Sequence, residues 1–491
     1  MKTNILKSIL VNSSIAVVLS SSLLANEEFI VHGVSETKLN NMEVSSSKNV
    51  EEYRFNLQTA LEKNGYLLSR VEQHDNNVYV DLGTISDIKI VGIKSSNKEM
   101  ITRYVSTLKQ NDITLTKVDR VLTLINSIPG VSATFSFQRD ESSGKYTIVV
   151  SGDEIKQSGS ILVDNIPTRL GKRSRVSLNQ NLYSLITSGD ILRLQGSHVR
   201  GDSLPNQTGY SISYQDQLEF NGGYWEITYG DNKSKTNLYS PLTGTTQNSY
   251  DGKYATISFA HPLIVKHNHE SFLIGQYEHS KEDTENLGNV KLNVFRASYF
   301  NLYHGNYGDS ISLGVTLSHG KNSEHYNANE EKSFNHLRVG GGYITPIGLN
   351  NKTEFRAESY AQIGSKDVFG SELFFLGSEN FLRGYKPGYF VGESGFAGTF
   401  ELAHSYDNSI KFVQRLTPYI FTDYGIVFND NQNINGTSRE DNQEAYSIGL
   451  GAKVYMKNNL FLETYLAKPL TDDYNNRSIN PSVYVQLQYS W

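Results

Sequence analysis

The last ten residues, "SVYVQLQYSW" (482–491), place Val483, Val485, Leu487, Tyr489 and Trp491 on one set of alternate positions and Ser482, Tyr484, Gln486, Gln488 and Ser490 on the other. Side chains alternate across a strand, so this segment presents one wholly apolar face. A soluble edge strand normally guards such a face with a charge or a proline. Here neither is present, and the face needs an apolar partner, of which lipid is one.

Composition narrows the choice. The chain of 491 residues is only 38% hydrophobic yet contains 31 Tyr, 22 Phe and 40 Gly, the make-up of many strands and turns. Beyond the extreme N-terminus no apolar run reaches the ~18 residues of a spanning helix, which excludes a helical membrane protein. A transmembrane β-barrel passes that test, because only alternate residues of its strands meet lipid. The net charge is −6 and no basic block occurs, so no nucleic-acid partner is expected. The absence of cysteine removes disulfides, thiolate metal sites and cysteine nucleophiles together. Lys2 and Lys7 precede the apolar "IAVVLSSSLLA" ending at Ala25, so residues 1–25 read as an export signal peptide.

Texture changes near Gly152. Before it, "DIKIVGI" (87–93) reads as a strand, and "NKEMITRYVSTL" (97–108) as a helix with Met100, Ile101, Val105 and Leu108 apolar. "TLTKVDRVLTLINSIPG" (114–130) reads as a second helix, N-capped by Thr116, with Val118, Val121, Leu122 and Ile125 inward and Pro129-Gly130 as the stop. A hairpin follows across "ESSG", giving the order β-α-α-β-β over 87–153. A more degenerate copy, "FIVHGV", "VEEYRFNLQTALEKNGYL" (50–67), "SRVEQ" and "VYVDLGT", fills 26–86.

Residues 154–491 repeat the alternation of the last strand. Candidate strands begin near residues 158, 174, 190, 209, 223, 252, 271, 290, 310, 336, 353, 396, 413, 443, 459 and 482, which makes sixteen, an even number as closed bacterial barrels have. About 21 residues are available to each strand with its connection, enough for a span of roughly 10. Closure would satisfy every backbone group inside the bilayer. The predicted fold is thus an all-β transmembrane barrel of sixteen antiparallel strands behind two small α+β domains. If the first strand leaves those domains on the periplasmic side, the long connection 365–395 is the sixth outer loop. It carries "GSENFLRGYKPGYFVGESG" (377–395).

The order of the two amino-terminal units, with "LTLINSIPGV", resembles POTRA (polypeptide-transport-associated) domains. "FLRGY" resembles the V-R-G-Y/F tip of the sixth loop in the TpsB family, the outer-membrane transporters of two-partner secretion. "FTDYG" (421–425) is similar to that family's F-x-D-x-G strand motif, and "VDNIPTRLGKRSRVSLNQNL", "SGDILRL", "GTFELAHS" and the terminal Trp491 agree with it. The resemblance implies that the sixth loop folds back into the barrel, bringing the tip Phe381, Leu382, Arg383, Gly384 and Tyr385 to the wall motif Phe421, Asp423 and Gly425, with Arg383 and Asp423 as an ion pair in the lumen. Arginine suits that task, because its planar fork can hold a carboxylate by two charge-assisted bonds. The plain alternative is a solvated Arg in a glycine-rich loop and a solvated Asp in the lumen.

The resemblance further implies a transporter that recognises an unfolded exoprotein through its N-terminal secretion domain and conducts it outward as a monomer. Its surroundings would be outer-membrane lipid and lipopolysaccharide, and the barrel assembly machinery would insert it, with Tyr489 and Trp491 as the C-terminal assembly signal. The family's plug helix and linker have no room between Ala25 and "FIVHGV", so loop six is expected to close the pore by itself. Two alternatives are an outer-membrane assembly and insertion factor of the same superfamily, whose central member has five POTRA domains, and a passive porin, which has none. No enzyme is expected: no G-x-S-x-G elbow or phosphate-binding loop occurs, and "GESGF" has the wrong spacing. No cofactor is expected either. His267 and His269 fall in a predicted periplasmic turn without further ligands, so no metal site is assigned.

Overall fold

In the computed structural model, residues 16–19 and 29–491 are described, apart from 43, 46, 48, 110–111, 166–172, 202–206, 219–220, 241–243, 285–287, 323–331, 349–350, 366–367, 369, 378, 408–411, 429–441 and 473–478. The predicted signal peptide, 1–25, lies outside the described residues except for a strand at Ala16–Leu19, which pairs antiparallel with Phe29–His32. Two units form, Met1–Glu154 and Ile155–Trp491. No described helix is long and apolar enough to cross a membrane.

The first unit contains two modules of the same β-α-α-β-β order. In one, Phe29–His32, helices Glu36–Asn41 and Val50–Lys63, and strands Arg70–His74 and Asn77–Asp81 follow in sequence. Asn49 caps the longer helix, its side chain accepting from the Glu52 amide at 2.8 Å, and Val50, Tyr53, Leu57, Ala60 and Leu61 bury one stripe against the sheet. In the other, Ile85–Val91 runs parallel to Tyr146–Glu154, which pairs antiparallel with Val131–Arg139. Two helices, Ser95–Lys109 and Leu115–Asn126, join them.

The internal duplication leaves one precise mark. Gly33 and Gly92 each end the first strand of a module with φ of +88° and +84°, and a Cβ at either would fall 2.0 Å from the carbonyl oxygen of Val80 or Gly152. Only glycine allows both that dihedral and that approach. The second helix starts two residues earlier than its sequence indicates: Thr114, not Thr116, is the N-cap, and Leu124 rather than Leu122 is buried with Val118, Val121 and Ile125. Thr114 bridges to Tyr66, and the Leu115 amide donates to the Gly65 carbonyl at 2.7 Å, so the start of the helix is set by a contact with the preceding module that periodicity cannot reveal.

The second unit is a closed barrel of antiparallel neighbours. Strand one is Gln157–Asp164 and strand two Arg173–Tyr183. The later wall comprises strands eight (Gly288–His304), nine (Ser310–Asn322), ten (Lys332–Ile347), eleven (Thr353–Gly364), twelve (Ser394–His404, continued by Tyr406–Asp407), thirteen (Val413–Phe428), fourteen (Asn442–Met456), fifteen (Leu460–Pro469) and sixteen (Ser482–Ser490). Counting the short continuation with strand twelve, the ring has sixteen strands. Several begin before their predicted starts, for example Gly244 rather than 252 and Lys332 rather than 336. In "GTTQNSYD" (244–251) and "KSFN" (332–335) apolar and polar residues do not alternate, so the periodicity of the sequence stops short of the hydrogen-bonded strand.

Val483, Val485, Leu487, Tyr489 and Trp491 are all exposed on the outer surface, and Ile448, Leu450, Leu466, Ile420, Phe400 and Leu402 continue that apolar face over the neighbouring strands. Such a face is stable against lipid, not water. Tyr484, by contrast, is buried inward beside Tyr419, Phe421 and Tyr465. Strand sixteen closes on strand one through Gln486–Ser490 against Ser160–Asp164. Trp491 extends that seam: its amide and carbonyl each bond Gly159 at 3.0 Å, and its ring occupies the space a Cβ at Gly159 would need.

Candidate functional site at the sixth loop

The connection between strands eleven and twelve does not project away from the barrel. After Gly364 it makes a turn of 3-10 helix at Gly370–Glu372, a two-stranded hairpin pairing Phe374–Leu376 with Phe390–Gly392, and a tip holding Phe381 to Tyr385. Phe374, Leu376, Leu382, Tyr385 and Phe390 pack with Ala397 of strand twelve, Val427 of strand thirteen and Ala445 of strand fourteen. Small wall residues make this seat possible. A Cβ at Gly425 would lie 2.7 Å from Leu376 and 2.8 Å from Leu382. At the tip, Leu382 (φ +57°) and Gly384 (φ +98°) reverse the chain, and Gly384 presses against Pro469 and Ala467 of strand fifteen. The Tyr385 hydroxyl donates to the Tyr446 carbonyl at 3.0 Å and accepts from the Thr471 amide at 3.0 Å.

This turn delivers Arg383 to the wall. Its Nη2 donates to Asp423 Oδ1 at 2.8 Å, its Nε to Asp423 Oδ2 at 3.1 Å, and its backbone amide to the same Oδ2 at 2.8 Å. Nη2 also reaches Thr399 Oγ1 at 2.7 Å, and Nη1 reaches Glu401 Oε2 at 3.2 Å. The guanidinium lies 3.4 Å from the centroid of the Phe421 ring. Asp423 is completed by the hydroxyls of Thr399 (2.7 Å) and Ser447 (3.1 Å), its direct cross-strand neighbours. Glu401 in turn accepts from Lys453 at 2.8 Å.

Arg383 and Asp423 are 6% and 1% exposed, which makes this a buried ion pair whose hydrogen-bonding groups are met. Burial opposes the Arg383 charge, but the Asp423 bonds and then Glu401 outweigh it, so the guanidinium pKa stands above its ordinary value. A polar cavity of about 230 Å³ beside the tip is lined by Arg356, Glu358, Glu379, Glu463 and Gln486 among others. The tip is thus bonded to a wall that stays polar next to it.

A second polar knot lies at the loop's entry. Glu372, 3% exposed, meets Arg296 of strand eight at 2.5 Å, and His336 and Arg338 of strand ten at 2.6 and 3.5 Å. Its backbone carbonyl accepts from Arg338 and from Gln362 of strand eleven, both at 3.0 Å. Burial works against the Glu372 carboxylate, yet His336, Arg296 and Arg338 hold its pKa below the ordinary value.

The structure therefore brings Phe381–Tyr385 to Phe421, Asp423 and Gly425. Tyr489 and Trp491 lie apart from them, their tilted rings 5.9 Å apart between centroids at the barrel seam. Sequence reading missed Thr399, Glu401, Ser447 and Lys453. Thr399 and Glu401 had a signal: both sit on the inward parity of "GTFELAHS", where polar residues alternate with Phe400 and Leu402. It also missed Glu372 and its partners Arg296, His336 and Arg338, which come from two separate strands and share no local pattern. His269 is not in a turn but opens a strand, with its Nε2 2.9 Å from Asn301.

The Gly425 contacts give a direct expectation. Gly425→Val should displace Leu382 and Leu376, cost about 1–3 kcal/mol of overpacking at the tip and reduce export sharply. Gly398→Ala, on the neighbouring strand, meets nothing closer than 3.6 Å and should export normally. Equal export by both at equal outer-membrane abundance would show that the tip's seat is not used.

The family described as haemolysin secretion/activation protein ShlB/FhaC/HecB matches residues 144–454. This chain belongs to that family. Among solved structures it is similar to CdiB from Escherichia coli, with TM-score 0.75, 13% identity, and coverage of 94% of this chain and 89% of that one. CdiB from Acinetobacter baumannii gives 0.71, 16%, 94% and 88%. BamA from Haemophilus ducreyi lacking POTRA domains 1-3 gives 0.52, 14%, 94% and 99%. No curated protein sequence matches the chain. As a member of this haemolysin secretion/activation family, the chain is an outer-membrane barrel with a role in secretion or assembly.

Proposed function

We propose that this haemolysin secretion/activation family member captures an unfolded exoprotein by its N-terminal secretion domain on the periplasmic side and passes it outward through the barrel lumen. The observation that carries this reading is the sixth loop inside the barrel, held there by the Arg383–Asp423 pair and by packing, and not by a covalent bond. Such an element closes a water-lined passage and can be released without breaking the wall. The amino-terminal unit supplies the means of capture. In its second module, Ile85–Val91 and Val131–Arg139 are the outer strands of a three-stranded sheet, and each offers an edge to an extended peptide.

The role is transport without catalysis, carried out by one barrel with its lumen facing the exoprotein and its apolar face in outer-membrane lipid, including the lipopolysaccharide leaflet. Insertion by the barrel assembly machinery would use the last strand with Tyr489 and Trp491. A second reading, assembly of other barrels, is favoured by the short seam between strands sixteen and one, where Gln486–Ser490 provide the pairing. Cargo separates the two. Calorimetry of a fragment spanning residues 26–153 with the secretion domain of the partner exoprotein should show saturable binding that a β-breaking proline in the bound peptide removes. Binding to nascent barrel strands but not to the secretion domain would favour assembly.

A further inference from the structure

Loop six is fastened at two places that bear on different arcs of the wall. The tip holds strands twelve to fourteen through Thr399, Asp423 and Ser447, whereas Glu372 holds strands eight, ten and eleven. The wall beneath Glu372 is built to receive something. Val290, Leu292 and Val294 of strand eight and Phe334 of strand ten are buried together with Val368, and Leu373 packs against them. The Phe334 ring fills the space above Gly320, its cross-strand partner, where a Cβ would come within 2.1 Å of it. A water-filled lumen gives no reason for such an apolar row on an inward face. It is a socket, and Val368 and Leu373 of the loop's shoulder occupy it.

We propose that Glu372 is a second, separately releasable catch on loop six, so that freeing Arg383 alone leaves the pore closed and opening requires both catches to let go. The inference rests on the reading that the loop closes the passage. Its physical basis is the charge left behind. If Glu372 departs, Arg296 retains Glu278 at 3.1 Å and Arg338 retains Gln362 at 2.7 Å, but the carboxylate that Arg296, His336 and Arg338 share is lost to all three. Re-docking is therefore strongly favoured. Losing the tip removes none of these contacts, because the two knots share no residue.

The chain contains no cysteine, so one introduced thiol reports alone. Val368→Cys, at a position 6% exposed, should react slowly with a membrane-impermeant maleimide on intact cells. Adding Glu372→Gln should accelerate labelling about tenfold, the loss of one charge-assisted set, and Arg296→Gln should act in the same direction but more weakly. Adding Arg383→Ala should leave labelling near the starting rate. Conductance in planar bilayers should rise only when Glu372→Gln and Arg383→Ala are combined. The proposal is overturned if Arg383→Ala exposes Val368→Cys as fully as Glu372→Gln does, or if the combined variant conducts no more than Arg383→Ala alone. Heat-modifiable migration checks that each barrel is closed, and Arg296→Gln serves if Glu372→Gln does not assemble. Labelling reads loop position without cargo, so an absence of export would refute the transport reading and leave this test standing.

Discussion

Arg383→Ala is expected to stop export while the barrel stays in the outer membrane at wild-type abundance. The substitution deletes the bidentate bonds to Asp423 and leaves that carboxylate, 1% exposed, with the hydroxyls of Thr399 and Ser447 but without a cation. Removing one partner of a buried pair costs about 2–4 kcal/mol here, enough to shift the tip's placement by a factor of roughly 10² or more. The Phe421 contact is lost with it. None of the wall's ladder bonds involves the Arg383 side chain, so strand content and heat-modifiable migration should not change. Asp423→Ala should match it, and the double variant should be no worse than either single, since the two side chains act as one unit. Additive losses would show that they work separately. Full secretion by Arg383→Ala would take the tip out of the mechanism.

Deleting residues 26–153 should be the other severe change, abolishing export without preventing insertion. Closure of the barrel runs entirely within Ile155–Trp491, from the pairing of strand one with strand two to its pairing with strand sixteen. The deletion removes every edge strand offered to an extended cargo and no barrel strand. Small-solute conductance of the truncated barrel should stay at the full-length value, since Arg383 and Glu372 are both retained, while exoprotein accumulates in the periplasm. Persistent export by the truncated barrel would make the amino-terminal unit dispensable. A large rise in conductance would instead make that unit, not loop six, the closure of the pore.

The barrel was legible because lipid imposes a period of two that no soluble context needs over so many strands. Val483 to Trp491 shows it in one strand, and Tyr446 to Val454 repeats it. The loop tip was legible by resemblance: "FLRGY" and "FTDYG" lie far apart in sequence, and only a family pattern links them. What stayed hidden depends on register. Ser447 reaches Asp423 because strands thirteen and fourteen pair those two residues directly, and a shift of one position would send Ser447 to the lipid face. Glu372 was hidden for a stronger reason. An acidic residue in a loop ordinarily reads as solvated, and its burial follows from Arg296, His336 and Arg338 being aligned across strands eight and ten, which alternation alone does not specify.

The central claim is that cargo passes through the lumen, and the alternation of one strand allows it to be tested at two positions of opposite parity. On strand eleven, Glu358 faces inward and lines the cavity beside the tip, while Ile363 is 68% exposed on the outer face. A photocrosslinking residue at each site, with the partner exoprotein stalled in transit by a folded fusion, distinguishes the routes. The account predicts strong crosslinks to cargo from position 358 and none from position 363. Crosslinks from 363 with none from 358 would contradict it, because cargo would then be travelling along the lipid face and not through the barrel.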